Sequence, residues 1–295
     1  MPSCPSVSLV FPAWNEEEYV ERAVARSLAM LSRITTDFEI VIVDDASTDR
    51  TWEILQRLSR RYPQVRVLRH EVNQKLGGAL RTLFGAATKD VVVYSDIDLP
   101  FYLDEVARAI RLMQYLEADL IAGFRFDRTS EGLRRIAYSF GYNLLIRTLF
   151  GVRVKDINFS FKVIRRRVLA SLELKSRGSL IDAELVVKAI RRGFRVAQIG
   201  VDYFARTRGV STLSSPAVIN KIVLELFALY SDIRSPGPIA HLTSEGGADA
   251  IRGDDLVTAR GDDPGAAHDV DLPGVLPIDE HVRRPAAMAS SPFAG

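Results

Sequence analysis

Five short apolar runs, Val7 to Phe11, Glu39 to Val43, Val65 to Leu68, Val91 to Tyr94 and Leu120 to Ala122, are near-continuous rather than alternating. Runs of that kind predict parallel strands buried on both faces. Between them the apolar positions recur at helical spacing. Glu16 to Leu31 carries Val20, Ala23, Val24, Leu28 and Leu31; Asp49 opens a segment through Leu58; Gly78 to Ala87 and Leu103 to Leu116 follow. Strand and helix therefore alternate from residue 7 to residue 122, which predicts a doubly wound α/β sheet, Rossmann-like, mostly parallel and flanked by helices. Ligands of such a sheet sit beyond the carboxyl ends of its strands. Further along, Gly132 to Phe150 reads as a helix burying Leu133, Ile136, Ala137, Phe140 and Leu144, and Asp182 to Arg192 as another.

Polar clusters stand where three of these strands end. They are Pro12-Ala13-Trp14-Asn15-Glu16, Asp44-Asp45-Ala46-Ser47-Thr48-Asp49 and Asp96-Ile97-Asp98. Helix capping accounts for Asn15 and Asp49 as well as ligand binding does. It does not account for Asp44 and Asp45, adjacent acids at a buried rim, which suit a base, a ribose or a cation. Asp96 and Asp98 are two residues apart at a strand exit and can share one divalent ion; hard oxygen ligands suit Mg²⁺ or Mn²⁺, which would neutralise a departing diphosphate. No Gly-x-Gly-x-x-Gly follows the first strand and no Gly-Lys-Ser/Thr loop occurs, which argues against a dinucleotide oxidoreductase or a P-loop NTPase.

Charge is segregated along the chain. Residues 236 to 295 hold ten acids against four arginines, a net −6, so residues 1 to 235 carry about +8 of the total of +2. A basic body suits anionic substrates or an anionic membrane surface, with nucleic acid a blander competitor that the motifs do not support. The stretch 236–295 is rich in Pro, Gly, Ala and Asp without apolar periodicity and is expected to be a disordered acidic tail outside a catalytic domain of residues 1–235. Cys4 is the sole cysteine and the first residues lack a leader pattern, so a cytoplasmic setting is expected. Among the histidines, His70, His241, His268 and His281 show no neighbouring acid pattern, and none reads as a catalyst.

Together Pro12-x-x-Asn15-Glu16, Asp44-Asp45-x-Ser47-x-Asp49-x-Thr51, Asn73 through Gly77-Gly78-Ala79, and Asp96-x-Asp98-Leu99 resemble the family 2 inverting glycosyltransferases. The resemblance narrows to the polyprenyl-phosphate (dolichol-phosphate) mannosyl- and glucosyltransferase branch. It continues through Gly123-Phe124-Arg125, Val154-Lys155-Asp156 to Lys162 and Arg206-x-x-Gly209-x-Ser211. It implies an A-type glycosyltransferase fold, a nucleotide-diphosphate-sugar donor and a divalent metal on Asp96 and Asp98. Departures leave base and sugar open: Lys75-Leu76-Gly77 replaces glycine-lysine-glycine, Pro100 a glutamine and Thr212 a lysine. The branch's two C-terminal membrane helices are not matched, because Ala217 to Ile233 contains Asn220, Lys221, Glu225 and Asp232 and is at most an amphipathic surface helix.

Candidate donor-binding residues are Pro12, Asn15, Glu16, Asp44, Asp45, Asp96 and Arg206, the last in a loop that can close over a diphosphate. Arg135 and Ser139, one helical turn apart, can share one phosphate, and with Arg125 form the expected grip on an acceptor phosphate. The candidate catalytic carboxylates are Asp98, Asp156, Asp182 and Glu184. A phosphate monoester, with second pKa about 6, is already ionised at neutral pH and needs no base, so Asp156 would orient the acceptor or stabilise positive charge on the sugar. The expected function is metal-dependent inverting transfer of mannose or glucose to polyprenyl phosphate by a protein peripheral at the inner face of the membrane, with room for a membrane-protein partner. The alternatives are a soluble acceptor, with Asp156 or Asp182 as base, and a non-catalytic nucleotide-sugar-binding subunit.

Overall fold

The computed structural model describes residues 4–126, 133–204, 216–235 and 258–259, the last pair and residues 133–135 and 216–220 by backbone alone. The chain divides into Met1–Arg260 and Gly261–Gly295, and every described residue lies in the first unit.

The predicted strands form as β1 (Val7–Ala13), β2 (Phe38–Asp44), β3 (Val65–Arg69), β4 (Val91–Tyr94) and β5 (Leu120–Arg125). Two more strands join them, β6 (Lys162–Arg165) and β7 (Val196–Val201), and β8 (Thr258–Ala259) adds two residues from the segment placed by sequence outside the folded body. Their order is β3-β2-β1-β4-β6-β5-β7-β8. Only β6 runs antiparallel to its neighbours. That reversal matters because it brings the segment before β6, residues 155–161, to the edge where the parallel strands end: Lys162 pairs with Tyr94 on one side and Ala122 on the other.

Side chains alternate between two cores, as a strand's period of two requires. Leu9, Phe11, Ile40, Ile42, Val91, Val93, Ile121 and Val163 enter one. Val10, Val41, Val43, Val92, Tyr94, Leu120 and Ile164 enter the other. The first core is closed by α1 (Val20–Ile34), α2 (Thr51–Arg61) and α4 (Asp104–Tyr115). The second is closed by α3 (Lys75–Ala86), α5 (Leu133–Phe150), α7 (Ile181–Arg191) and α8 (Pro216–Arg234), while α6 (Arg166–Ser171) follows β6 directly.

Two helical expectations are corrected. α1 begins at Val20 rather than Glu16, because residues 15–17 are drawn into contacts with the β2 exit loop. On α5, Phe140 is 69% exposed, and Ala137 and Leu144 also face outward, whereas Ile146 and Phe150 fill the core. Periodicity identifies an apolar stripe but not what covers it.

Candidate functional site

Exit loops of β1 and β2 are built against each other. Asn15 Oδ1 accepts from Thr48 N at 2.8 Å, Asn15 N donates to Ser47 Oγ at 2.9 Å, and Glu16 N donates to Thr51 Oγ1 at 2.8 Å. Asp49 takes the Thr51 and Glu17 amides. Neither Asn15 nor Asp49 is an N-cap residue; those positions fall to Tyr19 and Arg50, without side-chain capping bonds. Asn15, Ala46, Lys75 and Leu99 have φ between 55° and 65°. Left-handed backbone costs a non-glycine residue about 1 kcal/mol or more. These four lie in the connections that follow strands β1 to β4, and a fifth, Glu117, precedes β5.

The adjacent acids after β2 take different roles. Asp44 is fully buried; Ser47 N donates to its Oδ1, while Arg69 Nε stands 3.1 Å from Oδ2 without a hydrogen bond reaching that atom. Arg69 itself stacks on Trp52, 5.1 Å from the ring centroid. Asp45, expected at the donor, turns inward: its Oδ1 meets His70 Nδ1 at 2.7 Å and accepts Gln74 N at 2.8 Å, and its carbonyl accepts Asn73 Nδ2. Asp45 thus fixes the start of α3. The reading of His70 as lacking an acid is corrected in the same way. The ring is buried, and its Nε2 lies 2.9 Å from Thr82 Oγ1.

α3 is seated at its start by Gly77, whose amide donates to Arg177 O at 2.9 Å. A Cβ there would stand 2.1 Å from the Ser176 carbonyl oxygen. Gly77→Ala is therefore expected to destabilise the fold by about 1 to 3 kcal/mol in urea unfolding. Gly85→Ala, in the same helix with open space around it, should be neutral or stabilising.

Beyond β4 stand Asp96 and Asp98. The buried Tyr94 hydroxyl is pushed well above its ordinary pKa by burial first and then by the charges of Asp182, Asp96 and Asp98, so all three acids act on one place. Among the described residues no group of three or more His, Cys, Asp or Glu is arranged to hold a metal. Two carboxylates fit Mg²⁺ or Mn²⁺ completed by water and substrate phosphate rather than an all-protein cage.

Across from this pair, Asp156 and Arg125 form a buried fork. Arg125 Nε donates to Oδ2 at 2.7 Å and Nη2 to Oδ1 at 2.9 Å. The guanidinium lies against the rings of Phe159 and Tyr203, 5.5 and 5.1 Å from their centroids, and those two rings meet edge to face. Arg125, expected to grip an acceptor phosphate, is instead committed to Asp156. Asp182 is buried against Lys162 Nζ and does not cap α7, whose N-cap is Leu180. Glu184, expected among the catalytic acids, is corrected to a loop clamp: it accepts the Lys175 and Ser176 amides and the Lys188 ammonium. Pro12 and Glu16 are half-buried at the edge of the site. Ser139 is half-buried on α5. Its carbonyl accepts Asn143 Nδ2, and Asn143 Oδ1 accepts Ile157 N, tying that turn to the residue after Asp156. The Arg135 side chain and Arg206 lie outside the described residues. Sequence reasoning gave no role to Lys162, Arg69 or Tyr203; a lysine directly before Val163-Ile164 was the one available signal, since lysine is almost never buried unpaired.

Residues 8–172 match the family model described as Glycosyl transferase family 2. The chain is 32% identical over 207 residues to glycosyltransferase AglD of Haloferax volcanii, covering 67% of this chain and 33% of that protein. It is 30% identical over 218 residues to the dolichol-phosphate mannosyltransferase of Pyrococcus furiosus, covering 72% and 60%. The chain thus spans between one third and three fifths of the length of these two relatives. A crystal structure of glucosyl-3-phosphoglycerate synthase from Mycobacterium tuberculosis, with Mn²⁺, UDP-glucose and phosphoglyceric acid, matches with a TM-score of 0.59 at 21% identity over 77% of this chain and 80% of that one. The shared architecture is the A-type glycosyltransferase fold. Because the family match runs over more than half of the chain, from β1 past Asp96, Asp98 and the Asp156–Arg125 fork to α6, the chain belongs to glycosyl transferase family 2.

Proposed function

We propose that the protein transfers a hexose, mannose or glucose, from a nucleotide diphosphate to polyprenyl phosphate with inversion, at the cytoplasmic surface of a membrane. The observation that carries this reading is the position of Asp96 and Asp98 directly after β4, at the sheet edge to which the antiparallel β6 brings the segment holding the buried Asp156–Arg125 fork. Asp96 and Asp98 would hold Mg²⁺ or Mn²⁺, whose chemistry is neutralisation of the departing diphosphate. The Mn²⁺ and UDP-glucose present with the mycobacterial synthase support that assignment. Pro12, Asn15, Glu16 and Asp44 line the donor side, with Arg206 placed by sequence to close on the diphosphate.

For the acceptor, Arg135 and Ser139 supply charge and a hydroxyl on one face of α5, and a lipid phosphate needs no base. Asp156, paired with Arg125, therefore holds the acceptor segment in place rather than taking a proton. The dolichol-phosphate specificity named for the Pyrococcus relative supports a lipid acceptor. So do the outward apolar side chains: besides Phe140 on α5, Leu224 and Phe227 on α8 are 61% and 73% exposed. No described helix is long and apolar enough to cross a membrane, so contact would be by insertion of side chains at the interface. Phe140→Asp with Phe227→Asp should abolish co-sedimentation with anionic vesicles while leaving turnover on detergent-dispersed acceptor within about twofold. Wild-type levels of vesicle binding would remove the membrane face from the proposal.

The reading is tested by a screen of GDP- and UDP-linked mannose and glucose with undecaprenyl phosphate and Mn²⁺ or Mg²⁺, reading the glycolipid by mass. Glycolipid from one of these donors is the expected product. Transfer to phosphoglycerate instead would establish a soluble acceptor; donor binding without transfer to either acceptor would establish a binding subunit.

A further inference from the structure

Lys162 opens β6 between Tyr94 and Ala122, and its side chain is 1% exposed. Its ammonium donates to Phe159 O at 2.6 Å and to Asp182 Oδ1, and lies 5.5 Å from the Tyr94 ring centroid. Phe159 is the point where this cation meets the fork. Its amide donates to Asp156 O at 3.2 Å, closing the turn that carries Asp156, and its ring stacks under the Arg125 guanidinium. A continuous line of contacts therefore runs Asp182, Lys162, Phe159, Asp156, Arg125. Burial raises the Asp182 carboxyl pKa, Lys162 lowers it, and the nearby Asp156 charge raises it again.

We propose that Lys162 is a positioning residue for hexosyl transfer, its ammonium anchoring the Phe159 carbonyl and thereby holding Asp156 and Arg125 in the geometry of the fork. The assignment rests on the transfer reading above. A buried ion pair is a poor device for stability alone, since each ion loses several kcal/mol of hydration and an apolar pair of similar volume is often as stable. What an apolar pair cannot do is donate to the Phe159 carbonyl. Lys162 has three donors, and its contact with Phe159 sets where the Asp156 turn lies relative to Asp96 and Asp98.

The test compares Lys162→Met/Asp182→Leu, which removes both charges and the donor, with Lys162→Gln/Asp182→Asn, which removes the charges but keeps a side-chain amide donor. Both pairs avoid leaving one ion buried alone, which would unfold the protein for unrelated reasons. The Met/Leu variant should lose about 10- to 100-fold in kcat with donor KM within about threefold, and the Gln/Asn variant should recover at least about tenfold of that loss. Crystal structures of both variants supply a readout independent of turnover: in the first the Asp156–Phe159 turn moves and the Arg125 fork opens, in the second it stays. A Met/Leu variant with wild-type kcat, or with the turn and fork unmoved, overturns the proposal. Failure of the wild type to transfer hexose from any donor overturns the transfer reading instead, while the crystal structures still decide whether Lys162 holds the turn.

Discussion

Asp156→Asn should reduce transfer at least about a hundredfold and cost the fold about 3 to 5 kcal/mol, the scale expected when a buried ion pair loses one member. Both side chains are buried, at 7% for Arg125 and 2% for Asp156, so water cannot take the place of the carboxylate. Stacking on Phe159 and Tyr203 offsets part of the loss, since a desolvated cation–π contact contributes about 2 kcal/mol. Arg125→Lys should fail nearly as badly, because an ammonium cannot make two parallel bonds to one carboxylate. Replacing both residues by Met and Leu separates the two effects. Stability should return to within about 1 to 2 kcal/mol of wild type while activity does not. Urea unfolding measured beside steady-state turnover checks each part, and an Asp156→Asn protein of wild-type stability would show that the fork is not the buried pair described.

How much of this was readable from the residues follows from where each signal resides. β1 to β5 are apolar runs separated by helical periods, and a parallel sheet buried on both faces forces that pattern. β6 and β7 escaped because their runs are short and broken: Lys162 and Arg165 flank only Val163-Ile164, and Val196–Val201 contains Gln198 and Gly200. The reversal of β6, which delivers Asp156 and Lys162 to the site, is a topological fact with no local signature. Local sequence also cannot separate Asp44 from Asp45. Their difference is made by His70, twenty-five positions beyond Asp45, and by the α3 amide at Gln74. Glu184 looked like Asp182 because both open one helix, yet one turns to the amides of 175–176 and the other to Lys162. Asp96 and Asp98 stand out in the sequence because a spacing of two and a strand end are both local signals.

Asp96→Asn and Asp98→Asn should each lower hexosyl transfer at least about a hundredfold, and the loss should appear in both kcat and the KM for the nucleotide sugar. On the proposed assignment the ion takes two carboxylates from the protein, so the loss of either removes half of that contribution. An amide keeps one neutral oxygen, which holds Mg²⁺ or Mn²⁺ more weakly than a carboxylate oxygen does. Raising Mn²⁺ should therefore recover part of the donor affinity while leaving kcat depressed. The effect also differs in kind from that of the fork: with no ion between them Asp96 and Asp98 are two like charges two residues apart, and neutralising one relieves their mutual repulsion. Each single variant is thus expected to fold at least as stably as wild type without metal, in contrast to Asp156→Asn. Calorimetric titration with Mn²⁺ and thermal unfolding with and without EDTA decide the matter. Transfer that persists undiminished in EDTA would sink the metal assignment, and a large loss of stability in either variant without metal would assign that acid to the fold rather than to the ion.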